Sequence, residues 1–81
     1  MKASSSQRFV NLISEILRIS PQDVVDTIGM DDISTWDSLS HMQLIVTIES
    51  DFGIELSADE IVGMRTIGKI REVLHSKGIE A

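Results

Sequence analysis

Trp36-Asp37-Ser38-Leu39-Ser40-His41-Met42-Gln43-Leu44-Ile45-Val46-Thr47-Ile48-Glu49-Ser50-Asp51-Phe52 decides the fold, because it reads as one helix with a defined start. Asp37 suits the N-cap, where its carboxylate can accept from an unpaired backbone N–H of the first turn. Ser38 then falls in that turn, at the positive end of the helix dipole, where a phosphate ester on its hydroxyl would be favoured. On a helical wheel the apolar arc is too wide for one face. Leu44, Ile45, Ile48 and Phe52 form one stripe that includes His41, while Leu39, Met42 and Val46 form a second beside Ser38. A surface helix normally needs a single apolar stripe. Either both stripes are core, which periodicity alone favours, or the second is a docking surface for another protein, which the adjoining serine favours.

Working outward, Phe9, Leu12, Ile13, Ile16 and Leu17 recur at helical spacing, so a one-faced helix is expected over 7–17, with residues 1–6 as a frayed tail. Ser20-Pro21 should end it, and Pro21 should open a short turn capped by Ser20. The connection from Ser20 to Trp36 is long for such a chain and needs tying down, for which Val24, Val25, Ile28, Met30, Ile33 and Trp36 are available. Gly53 supplies a C-terminal turn after the central helix. Ser57-Ala58-Asp59-Glu60 is a capping box opening a short helix that stops near Gly63. Thr66 caps a last helix with Ile67, Ile70 and Leu74 inward, ending at Lys77-Gly78. The expected architecture is all-α: a small four-helix bundle of three longer helices and a short third one, forming one domain over 1–81 with its core at about 7–77.

Eighty-one residues allow one modest core, and with only Phe9, Trp36 and Phe52 as aromatics it must be aliphatic. The absence of cysteine excludes disulfides, thiolate metal sites and a cysteine nucleophile. No apolar run could span a membrane or serve as a signal peptide, so the cytoplasm is the default compartment. Between Ile19 and Met64 there is no Lys or Arg, and that stretch carries −10 while the flanks carry +4, for a net −6. Such a field repels nucleic acid and anionic membrane and steers toward basic protein surfaces.

The aspartates of the connection do not make a calcium loop: counting from Asp26 the third position is Ile28, and from Asp31 it is Ile33. Ser38 and His41 with Asp37 suggest a hydrolase triad, but no carboxylate stands behind the histidine and no nucleophile elbow is present. His41 reads as a core-edge residue and His75 as a solvated one, and two separate histidines make no zinc site.

Asp37-Ser38-Leu39, the apolar helix and the Glu49-Ser50-Asp51-Phe52-Gly53-Ile54 exit resemble the acyl carrier protein family, with similarity from about Phe9 to Leu74. The resemblance implies a 4′-phosphopantetheine group attached covalently to Ser38, with Asp37 and Leu39 completing the motif, and an acyl or aminoacyl cargo held as a thioester. It implies a carrier rather than an enzyme, expected to be monomeric. The implied partners are a phosphopantetheinyl transferase and acyl-loading and acyl-processing enzymes with basic docking surfaces, meeting Leu39, Met42, Gln43, Val46 and Glu49. The chain departs from the family at Thr35, where a glycine is usual, and at Ser40, Gln43 and Ser50, where fatty-acid carriers often have acids. The first concerns the conformation of the loop and leaves Ser38 in place; the other three point to partner recognition unlike that of fatty-acid carriers, and so to a specialised polyketide, peptide or related pathway. The competing reading is an unmodified helical adaptor of the same fold.

Overall fold

A helix with two apolar stripes must commit one of them to the core, and in the computed structural model, which describes residues 4–81, α2 (Ser38–Phe52) commits the first. Leu44, Ile45 and Ile48 are buried and His41 is 8% exposed, whereas Leu39, Met42 and Val46 are 73%, 50% and 61% exposed. Three further helices complete an all-α fold: α1 (Ser5–Leu17), α3 (Ala58–Gly63) and α4 (Ile67–Ser76). Phe9, Ile13 and Leu17 of α1 meet Leu44 and Ile48 of α2 and Ile67, Ile70 and Leu74 of α4 in one core, which Trp36 and Met64 close.

The helix starts follow local chemistry. Asp37, Ser57 and Thr66 each accept a first-turn backbone N–H, and Ser57 and Glu60 form the reciprocal capping box. The start of α1 corrects the expected tail: Ser4 Oγ accepts the Gln7 N–H at 3.1 Å, so the helix begins at Ser5 and takes in Ser5 and Ser6. The remainder of that expected tail, Met1–Ala3, lies outside the described residues. The end of α1 also differs. Arg18, not the Ser20-Pro21 pair, terminates it by entering the left-handed region at φ 58°, with its N–H bonded to the Ser14 carbonyl. A non-glycine residue there costs about 1–2 kcal/mol. Pro21–Asp23 does form a 3-10 turn, but Ser20 makes no side-chain cap to it.

Main-chain hydrogen bonds anchor the long connection together with its apolar residues, of which Val24 and Trp36 are buried and Ile28, Met30 and Ile33 pack against the core. Met30 N–H donates to the Arg65 carbonyl, Ile67 N–H to Ile28 and Gly68 N–H to Asp26, at 3.0–3.1 Å, stitching it to the start of α4. Gly29 permits this approach, since a Cβ there would lie 3.1 Å from the Arg65 carbonyl oxygen. Val24 is buried as expected, but Val25 is 45% exposed and takes no part. At the far end, Ile79 and Ala81 pack back on the bundle past residue 77, and the Ala81 carbonyl accepts from Arg71 at 3.1 Å. The Arg71 guanidinium also lies 5.0 Å from the Phe9 ring centre and pairs with Asp26.

Ile48 is fully buried at the centre of this arrangement. Ile48→Ala should lower unfolding free energy by about 2–5 kcal/mol through lost burial and a cavity. On a chain of this length the whole stability is roughly 4–12 kcal/mol, so a denaturant titration should show a large shift of midpoint.

Candidate functional site

Ser38 stands exposed in the first turn of α2, and among the described residues its hydroxyl makes no hydrogen bond. What fixes it is the residue before it. Asp37 Oδ1 accepts the Ser40 N–H at 2.9 Å, which holds the helix start. That donor, followed by the Ser40 hydroxyl, keeps the Asp37 carboxyl below its ordinary value of 3.8.

Behind Ser38, on the core side, Trp36 and His41 are joined. The Trp36 Nε1–H donates to His41 Nδ1 at 3.1 Å, with the rings stacked at 6.1 Å between centres. An indole nitrogen can only donate, so Nδ1 is bare; the other ring nitrogen, Nε2, carries the proton and donates to the Ile61 carbonyl at 2.9 Å. Both nitrogens are thereby taken, and neither is available as a base for Ser38. The hydrolase constellation fails on geometry. Among the described residues no cluster of three potential metal ligands occurs either.

Beside Ser38, between α2 and α3, lies a cleft of about 260 Å³ lined by Met30, His41, Met42, Ile61, Val62 and Arg65. Val62 is 70% exposed and continues the Leu39-Met42-Val46 surface onto α3. On the other side of α2, a groove of about 530 Å³ runs between Ile16 and Arg18 of the α1 end and Leu39, Met42, Gln43 and Val46. The motif residues Asp37, Ser38 and Leu39 thus sit together at the head of an apolar face that includes Met42, Gln43 and Val46.

Glu49, expected among the residues that meet partners, has a structural task as well. Its carboxylate accepts the Leu56 N–H at 2.9 Å and so holds the turn between α2 and α3. Arg18, Val62 and Arg65 were not singled out from sequence, and Ile16 was placed only on the core stripe of the first helix. Val62 could have been found as an apolar residue on a short helix with no buried partner. The two arginines bracket the acid-only stretch but carry no periodic signal.

A family model described as the phosphopantetheine attachment site matches residues 7–74. An acyl carrier protein of Chlamydia trachomatis is 34% identical over 67 residues, covering 82% of this chain and 86% of its own. A meromycolate extension acyl carrier protein of Mycolicibacterium aurum is 28% identical over 72 residues, covering 84% of this chain and 74% of its own. Among solved structures, a candidate acyl carrier protein from Mycobacterium tuberculosis superposes with a TM-score of 0.79 at 23% identity, over 91% of this chain and 99% of that one. At that identity the likeness is one of fold.

The Asp37 cap carries a pH signature. Its folded-state carboxyl is depressed, so the stability it contributes is complete above the ordinary carboxyl value of 3.8 and is lost as pH falls through the lowered one. Asp37→Asn keeps an acceptor oxygen but cannot titrate. Acid unfolding followed by circular dichroism should therefore be less steep below pH 3.8 in the variant than in the wild type.

Proposed function

The chain belongs to the acyl carrier protein family, whose members bear a 4′-phosphopantetheine on a serine and are carriers, not enzymes, and we propose that Ser38 is the attachment point in this one. The observation that carries this reading is the exposed, uncommitted Ser38 hydroxyl at the capped start of α2. The surrounding residues fit the group: the helix start favours its phosphate, and the cleft at Met42, Ile61 and Val62 offers an apolar wall to the rest of the arm. When bound, the group supplies a terminal thiol that holds an acyl or aminoacyl cargo as a thioester.

The chain's own residues present and dock. Asp37 fixes the first turn, Trp36 and His41 brace it from the core, and Leu39, Met42, Gln43 and Val46 offer the apolar face to partners. Family membership implies interaction with a phosphopantetheinyl transferase and with biosynthetic enzymes. Tethering gives the cargo a high effective concentration at each partner's active site while docking stays weak. The acids of the 19–64 stretch steer basic surfaces toward the domain; Glu49 adds to that field while holding its own turn. Ser40, Gln43 and Ser50 leave the docking helix less acidic than in fatty-acid carriers, which supports service in a specialised polyketide, peptide or related pathway.

Coexpression with a permissive transferase should add one phosphopantetheine to the intact mass, and Ser38→Ala should abolish it. An adduct on another serine would overturn Ser38 as the attachment point, and a wild type left unmodified by several competent transferases would favour the bare adaptor.

A second measurement pairs stability with modification. Val46 is 61% exposed, so Val46→Arg should change unfolding free energy by no more than about 0.5 kcal/mol. Its charge is buried only on docking, so the transferase rate should drop sharply. An unchanged rate would remove Val46 from the docking face.

A further inference from the structure

We propose that His41 is a positioning residue whose protonation state sets the pose of the loop presenting Ser38. It joins three parts of the fold: Trp36 in the segment before α2, its own buried side of α2, and Ile61 in α3. The neutral ring has only one arrangement that serves both neighbours, with Nδ1 bare toward the indole and Nε2–H toward the carbonyl.

A second proton would go on Nδ1. There N–H would face N–H across 3.1 Å, the Trp36 bond would be lost, and an indole that is 2% exposed would be left without its acceptor. On the other side the existing Nε2–H bond to Ile61 would become charge-assisted and tighten. Protonation therefore does not loosen the site evenly. It releases the loop ahead of Ser38 while drawing α3 closer to α2.

The stitch to α4 lies further back, at residues 26–30, and the stretch just ahead of Ser38 has few other polar ties. Among the described residues Thr35 Oγ1 is buried without a partner, and the Trp36 main-chain bond to the Ile33 carbonyl is 3.3 Å long. No carboxylate pairs with the ring among the described residues. Asp37, one turn earlier on α2, is committed to Ser40; Glu60, next to Ile61 on α3, is held by Ser57 and Lys77; Arg65 faces the ring's cleft from the α3–α4 turn. The consequence for function rests on Ser38 being the attachment point: modification in acid would slow for a reason located in the carrier, not in the transferase.

The test uses the unmodified protein with 15N-labelled histidine. At neutral pH, long-range proton–nitrogen spectra should show His41 as a single tautomer with bare Nδ1, while exposed His75 serves as reference. As the His41 ring titrates, exchange of the Trp36 Nε1–H, corrected for its intrinsic pH dependence, should accelerate by about tenfold or more. Over the same interval the Ile61 carbonyl carbon should shift in the direction of a stronger hydrogen bond. His41→Asn, which offers an acceptor near the Nδ1 position and cannot titrate, should keep the indole protected at every pH, and His41→Leu should leave it unprotected throughout. The opposite tautomer, an indole still protected after the ring is charged, or a ring that stays neutral until the whole chain unfolds would each overturn the proposal. If the variants do not fold, the wild-type titration decides alone. Attachment at Ser38 is read separately by mass, so a working latch on a chain that is never modified would sink the carrier reading and leave this one standing.

Discussion

A chain of 81 residues has room for one core, and a central helix apolar on two sides can bury only one of them. That limit organises the molecule. Leu44 and Ile48 reach the residues of α1 and α4 that would otherwise have nothing to cover them, and in taking that place they turn Leu39, Met42 and Val46 outward. The exposed stripe is the other half of the same packing decision. It begins at Ser38 because the cap at Asp37 fixes where the helix starts, and therefore which way each stripe faces.

The same logic explains what could be read from the sequence. Caps are contacts over three residues, so Asp37, Ser57 with Glu60, and Thr66 were legible together with the helices they begin. Stripes were legible as stripes, but whether the second was core as well depended on the other helices: periodicity alone favoured burying both, and the adjoining Ser38 favoured the exposure that is observed. What escaped depends on distant partners or on a backbone state. Glu49 reads as a partner-facing acid until Leu56 is brought to it, and His41, rightly placed at the core edge, shows no partner until Ile61, 20 positions away, is brought to its second nitrogen. The stitch from 26–30 to 65–68 pairs main-chain atoms and so leaves only Gly29 as a trace. Arg18 as a left-handed cap defies the usual preference for glycine, and no local signal announces it.

The charge asymmetry and the proposed docking face are separate devices. The face itself is nearly neutral, with Gln43 and Thr47 beside its apolar residues and Arg18 and Arg65 at its two edges, while the ten acids of the 19–64 stretch supply the long-range field. Long-range attraction can then set how fast a partner arrives, while apolar contact sets how long it stays. Such a division suits a protein that must visit several enzymes and leave each of them.

The exposed stripe also has a colloidal consequence. Leu39, Met42, Val46 and Val62 give adjoining apolar surface on a small molecule, a liability for self-association. Near neutrality a net charge of −6 keeps copies apart. Toward the isoelectric point near 4.6 that repulsion disappears, while the apolar stripe does not change. The surface proposed to serve partners at neutral pH is then the one through which the protein would meet itself.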